Sequence, residues 1–203
     1  IMTFTNGKFG IKAAKYVAPS VTLTNDDLRG AISVQTKRSR RDNFNGVKGT
    51  FVPAETNYVV TDYPAFTSNA FETEDGGVQQ FLDYDLPYTQ SSPMAQRLAK
   101  IALFRNRQQI TIDFPANLKA FQLAVGDTVR VTNDRFGFAV KVFEIAEWAL
   151  VFESSDNGTI MGVDLMLREL ASSVYDWSAE EANFLLDNSP LPNPFELTAP
   201  SMT

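Results

Sequence analysis

The chain has 203 residues, of which 44% are hydrophobic and 21% are charged, a balance typical of folded globular proteins. Its net charge of −6 argues against a surface that wraps nucleic acid, since phosphate binding needs concentrated Lys and Arg. Cysteine and histidine are both absent. Disulfides, thiolate metal sites and the Ser-His and Cys-His catalytic pairs are therefore excluded, and we expect no cofactor.

Membrane insertion is also not expected. No apolar run approaches the roughly 20 residues that a membrane-spanning helix needs. We therefore expect no stable membrane insertion by this segment.

The first expected element is a β-hairpin, because Asn6-Gly7 is a strong turn signal between two short strands. Further along, Arg38, Arg40 and Arg41 lie close together. Such a basic run is most often a solvated strand edge, where charge prevents unwanted pairing. A salt-bridge site between subunits is one alternative, and a phosphate contact is the weakest, since no aromatic platform adjoins the run.

Acidic residues cluster in two places after a region of short strands and long loops. Residues 72–77 read as an exposed acidic turn, which lacks the alternating oxygen ligands of a calcium loop. Asp83 and Asp85 are expected on one side of a strand, and two carboxylates can hydrolyse glycosides. Without supporting spacing, a solvated strand face is the favoured interpretation.

One principal helix is predicted over about 92–107, with Ser92 as its cap and Pro93 at its first position. The helical period predicts one buried and one polar face. The residues of the buried face are Met94, Ala95, Leu98, Ala99, Ile101, Ala102 and Phe104, and those of the polar face are Gln96, Arg97, Lys100 and Arg107. Arg105 falls inside the apolar arc, which fits either a cation at the helix end or an ion pair with another chain.

Four strands are expected after the helix. Residues 110–115 alternate between apolar and polar, and Gly126-Asp127 makes a turn into a second alternating strand. Residues 140–151 are apolar in both registers, so this strand, which carries Trp148, is expected to be covered on both faces. A turn at 154–158 leads to a strand over 161–167, which is expected to pair with it.

These elements predict an α+β, mostly β fold. Composition changes after Leu186, where three prolines follow within a few residues. We expect one domain region over residues 1–187, with two intertwined β subdomains as the alternative, and a Pro-rich linker over 188–203.

Several strings, in their order and spacing, resemble the central tail-tip or host-specificity proteins of lambda-like tailed phages and related tail hub proteins. The matching stretches are residues 32–51, 58–64, 74–77 with 85–88, 95–101, 125–129, 141–144 with Trp148, 163–169 and 174–177. The resemblance extends from about Gly10 to Phe195. The order and spacing of the whole set carry the resemblance.

The resemblance implies a tail-tube-like or hub-like β-barrel or sandwich that joins as a homotrimer and closes the tail tube at the distal end of the virion. It implies assembly in the host cytoplasm, a non-enzymatic role, and DNA exit through the opened hub. The implied partners are the distal tail or tube ring, the tape measure protein and downstream receptor-binding modules beyond residues 191–195. Arg38, Arg40, Arg41 and Arg105 are then candidate subunit-interface residues.

Two other classes of function stay open from the residues. One is a cell-wall hydrolase that would use Asp83 and Asp85. The other is a self-contained β-rich module that binds carbohydrate or protein through an aromatic surface around Tyr58, Tyr63 and Trp148, which burial of Trp148 would disfavour.

Overall fold

The computed structural model describes residues 2–5, 8–11, 15–37, 39, 42–155 and 158–178. In this part of the chain the strands are β1 Met2–Thr5, β2 Lys8–Ile11, β3 Val21–Leu23, β4 Ser33–Gln35, β5 Gly46–Lys48, β6 Thr50–Phe51, β7 Thr61–Asp62, β8 Phe66–Thr67, β9 Phe81–Asp83, β10 Thr111–Ala116, β11 Thr128–Asn133, β12 Phe138–Ser155 and β13 Gly158–Glu169. The α-helices are α1 Asn69–Glu74 and α2 Ser92–Arg107. The predicted mostly β, α+β class with one principal helix is confirmed.

The largest sheet has six strands in the order β3-β11-β12-β13-β10-β4. Its neighbours pair antiparallel except β3 and β11, which run parallel. Within the described residues β3 and β4 are its two edges, so this sheet is open and does not close into a barrel. The alternation predicted for β10 is confirmed, since Ile112 and Phe114 are buried while Asp113 is exposed.

Two apolar cores organise the molecule. One lies on the large sheet and contains Phe114, Val131, Phe143 and Leu165. The other lies between α2 and the three-stranded sheet β8-β5-β9, with Val47 and Leu103 among its members. Burial of these side chains supplies most of the driving force for folding, at roughly 1.5–3 kcal/mol for each fully buried large aliphatic or aromatic side chain.

The helix α2 has the predicted bounds but a different cap and a different buried face. Ser91 is the cap residue and makes no side-chain cap bond, whereas the Ser92 hydroxyl accepts a hydrogen bond from Gln96. Gln96 and Lys100, predicted on the polar face, are only 1% and 8% exposed, while Met94 is 57% exposed. The buried residues of α2, which are Ala95, Gln96, Ala99, Lys100, Leu103 and Asn106, form one face that is rotated from the predicted one. Residues 172–175 also contact the helix, and Trp177 lies 5.8 Å from the Lys100 ammonium.

The strand β12 contains an irregularity that the apolar pattern hid. Its pairing with β13 shifts between Ile145 and Glu147. The shift places Phe143, Ile145 and Trp148 on one face, although the alternation put Trp148 on the opposite side from the other two. Only part of β12 is covered on both faces, because Val140 is exposed.

The sequence predicted an exposed turn over residues 72–77, and the structure differs from this prediction. Glu72 lies in α1, and Asp75 follows the helix and is partly buried. Both carboxylate oxygens of Asp75 accept hydrogen bonds from the Arg107 guanidinium, which also lies 4.7 Å from the Phe71 ring centroid. Arg107, predicted on the polar face of α2, therefore connects that helix to the end of α1.

The N-terminal hairpin is confirmed by the antiparallel pairing of β1 with β2, although its turn residues Asn6 and Gly7 lie outside the described residues. The predicted linker over 188–203 also lies outside them. The division of the chain at residue 187 stays a prediction.

Candidate assembly surface

The hairpin formed by β12 and β13 is longer than the strands beside it. The two strands pair with each other as far as Ser155 and Gly158. On one side β11 pairs with β12 only over residues 138–144, and on the other side β10 pairs with β13 only as far as Val163. Residues 151–155 and 158–162 therefore form a two-stranded projection, and no other strand in the described part of the chain pairs with its outer edges.

One face of this projection is apolar and continues the core face of the sheet. Leu150 pairs with Val163, which is fully buried, and the next pair on the same face is Phe152 with Met161. Phe152 is 60% exposed and Met161 is 43% exposed. An apolar stripe that leaves the core and ends in exposed side chains beside free strand edges is typical of a surface that another chain covers.

A buried ion pair joins α2 to the large sheet at the base of this hairpin. The Arg105 guanidinium pairs with the carboxylate of Glu144, whose residue is buried in β12. The Arg105 backbone carbonyl accepts a hydrogen bond from Arg168 of β13, at 3.2 Å. Arg105 thus has a partner within its own chain, and its predicted role at a subunit interface stays a prediction.

Two tyrosines and one aspartate have shifted pKa values with clear structural causes. Burial, and then the neighbouring carboxylate of Asp85, raise the pKa of Tyr63 to about 12, and its hydroxyl donates a 2.9 Å hydrogen bond to the Tyr84 carbonyl. Burial also raises the pKa of Tyr175. Burial opposes ionisation of Asp27, but contacts from Lys119 and Thr24 outweigh it and hold its pKa below 3.8.

The carboxylates considered for hydrolysis are engaged in structural contacts. Asp83 and Asp85 line a cleft of about 620 Å³ beside Lys48. Asp85 accepts hydrogen bonds from the Thr50 amide and hydroxyl, at 3.0 and 2.8 Å, and Asp83 lies 3.6 Å from the Lys48 ammonium. These contacts give neither carboxylate the apolar surroundings that a general acid needs, so nothing in this geometry favours hydrolysis.

The three aromatic residues proposed for a binding module do not form one surface. Tyr58 is 62% exposed, whereas Tyr63 is buried in the core against α2. Trp148 is partly buried on the other core, and its indole N–H donates to the Ala120 carbonyl at 3.4 Å. The alternative of an aromatic binding surface therefore loses its basis.

The arginines of the basic run, Arg38, Arg40 and Arg41, lie outside the described residues.

The sequence did not predict the exposed pair Phe152 and Met161. They are exposed because their strands extend beyond the neighbouring strands, and the pattern of a single strand does not show this. The signal that could have indicated them is the presence of an apolar residue on each side of the predicted turn at 154–158. None of the helices in the described ranges is long and apolar enough to cross a membrane.

A protein-family model described as "Putative phage tail protein" matches residues 3–148. No curated protein matches the sequence. A chain from the virion of a native gene transfer agent particle is similar in fold, with a TM-score of 0.59, 15% identity, and coverage of 86% of this chain and 36% of that chain.

Two prophage structures are also similar to this chain. The 43 kDa tail protein of prophage MuSo2 from Shewanella oneidensis has a TM-score of 0.48 and 16% identity, with coverage of 85% of this chain and 48% of that chain. Prophage tail protein gp18 from Listeria monocytogenes EGD-e has a TM-score of 0.40 and 14% identity, with coverage of 78% and 42%. The chain thus spans between about a third and a half of the length of the three similar structures.

Proposed function

The chain belongs to the phage tail protein family, and from that premise we propose that it forms part of a three-fold hub at the distal end of the tail. In this role it is a structural protein of the virion and not an enzyme. The hub closes the tail tube, holds the receptor-binding tip and opens when DNA leaves. Its partners are two further copies of itself, the tube or distal tail ring, the tape measure protein and receptor-binding modules.

The single observation that carries the proposal is the projecting part of the β12–β13 hairpin. Among the described residues no third strand pairs with the outer edges of 151–155 and 158–162, and these edges adjoin an exposed Phe152–Met161 pair. Backbone donors and acceptors at a strand edge are satisfied best by another strand, and the adjoining apolar pair gains by burial in the same contact. The occupant we propose is a second copy of this chain, because a ring of identical subunits repeats one contact around its axis.

The acidic composition agrees with a conduit for DNA. A net charge of −6 makes the wall repel phosphates on average, so that a passing duplex is not retained.

The arginines of the basic run and Arg105 stay proposed interface residues. A triple replacement of Arg38, Arg40 and Arg41 by Ser is expected to weaken self-association without unfolding the domain.

Sedimentation velocity over a range of concentrations tests the hairpin contact. The variant Phe152→Ser/Met161→Ser should lower the association constant, while Val140→Ser, which also replaces an exposed apolar side chain of β12, should not. Both replacements lie on exposed surface, so the melting temperature should change little. Equal association of wild type and the double variant would contradict the proposed contact.

A further inference from the structure

On the face opposite its apolar face, the β12–β13 hairpin is contacted by a cation, Arg29, where the projection begins. The Arg29 guanidinium pairs with Glu153 of β12 and with Asp164 of β13, the latter at 2.6 Å. The Arg29 side chain is only 10% exposed, whereas the two carboxylate side chains are 54% and 51% exposed. A single buried cation thus bridges the two strands on the face away from Phe152 and Met161.

The backbone around Arg29 is fixed to the rest of the sheet. Its amide donates a 2.8 Å hydrogen bond to the carbonyl of Pro115, and the preceding residue, Leu28, forms an isolated bridge with Ala116 at the end of β10. The side chain therefore starts from the point where β10 ends and reaches Glu153, in the part of the hairpin with which no third strand of the described ranges pairs.

The hairpin is shaped to receive this side chain. Gly162 lies on the same face of β13 as Asp164, and a Cβ atom there would lie 2.4 Å from Arg29 Nε and 2.8 Å from the Ala116 carbonyl oxygen. Only glycine leaves this space open. Arg29 Nε is buried without a hydrogen-bond partner in the described structure, so the contacts with the two carboxylates leave its Nε–H donor unpaired.

We propose that Arg29 is a positioning residue that sets the direction of the projecting hairpin, and so presents its apolar face to the next subunit. That Arg29 fixes the direction of the hairpin is argued from its own contacts. That this direction serves assembly with the next subunit rests on the proposed function. A planar guanidinium can hold two carboxylates in fixed geometry, which a point charge such as an ammonium cannot do. Without it, Glu153 in the projection would lose its ion pair with Arg29, and the direction of the hairpin would vary.

Electron spin resonance distance measurements on the dilute, monomeric chain test the direction alone. The chain has no cysteine, so nitroxides attached at Thr159→Cys on the hairpin and at Arg97→Cys, an exposed position of α2, label two chosen sites. The wild-type background should give one narrow distance peak. Arg29→Gln should lose that narrow peak, and Arg29→Lys should give an intermediate width.

The matched control is Lys141→Gln, which removes another cation that joins β12 to β13. Lys141 pairs with Glu169 at 2.7 Å inside the six-stranded sheet. There Lys141 is paired with Val131 of β11, and the Glu169 amide donates a hydrogen bond to the Ile110 carbonyl, so both partners are held by other contacts. Its distance peak should stay narrow. An Arg29→Gln peak as narrow as that of the control, with an unchanged mean, would overturn the positioning role.

Self-association of the same variants, without labels, separates the two proposals. A broadened Arg29→Gln peak together with weaker association supports both. A broadened peak with unchanged association supports positioning by Arg29 and contradicts the hairpin as the assembly surface. An unchanged peak overturns the inference whatever the association constant.

Discussion

Removing Arg105 should destabilise the monomer itself, because the Glu144 carboxylate, which is buried in β12, would lose its ion pair with the Arg105 guanidinium. Side-chain exposure is 27% for Arg105 and 11% for Glu144. Breaking a fully buried pair costs about 3–5 kcal/mol, and the partial exposure of the arginine reduces this to about 2–3 kcal/mol for Arg105→Met. For a chain of this length, that corresponds to a fall of about 4–12 °C in melting temperature.

A double-mutant cycle separates the pair from the general effect of each substitution. Because two apolar side chains can replace a buried ion pair, Arg105→Met/Glu144→Leu should lie within about 1 kcal/mol of wild type in urea unfolding. Arg97→Met, an exposed residue of the same helix, serves as the control and should change stability by less than about 0.5 kcal/mol.

Two results would refute this reasoning. One is additive single effects, which would mean that Glu144 does not hold Arg105. The other is an Arg105→Met variant that keeps its monomer stability but loses self-association. That outcome would favour the role at a subunit interface that the sequence predicts for Arg105.

The remaining predictions concern pH and follow from two buried groups. The pKa of Tyr63 in the folded protein is raised from 10.0 to about 12. The contribution of its protonated hydroxyl to the free energy of unfolding is therefore complete below pH 10 and is lost as pH rises toward 12. Tyr63→Phe should cost about 1 kcal/mol at pH 7 and flatten the alkaline loss of melting temperature, and an identical alkaline profile would contradict this assignment. The pKa of Asp27 in the folded protein is lowered from 3.8. The contribution of its carboxylate to the free energy of unfolding is therefore present above pH 3.8 and is lost as pH falls through the lowered pKa. Asp27→Asn should cost about 1–2 kcal/mol at pH 7 and less at acid pH, and a cost that grew on acidification would show the sign to be wrong.

Local patterns were enough to predict the helix α2, the strand β10 and the turn at Gly126, because the proline at the start of a helix, the apolar period and turn chemistry are properties of neighbouring residues. The buried face of α2 was predicted only in part. A period assigns one face to a core, but Lys100 is covered by Trp177, a residue distant in sequence whose ring lies 5.8 Å from the ammonium. Covering by a second segment cannot be read from the helix alone.

The paired charges were hidden for the same reason. Arg107 and Asp75 are separated by 32 residues, and Arg105 and Glu144 by 39. Each residue taken singly looks like a solvated charge, and only the chain path brings the partners together. The irregularity in β12 could not be predicted either. One extra residue moves the following side chains to the opposite face of the strand, but the run of apolar residues looks the same in the sequence.

The most direct test of the three-fold hub is the mass of the assembled chain, measured by native mass spectrometry as concentration is raised. One protomer has a mass of 22.6 kDa. The proposal predicts a species of three times this mass that grows with concentration and is depleted in Phe152→Ser/Met161→Ser. A chain that stays at 22.6 kDa throughout, or that stops at a dimer, would contradict self-assembly of this segment into a three-fold ring.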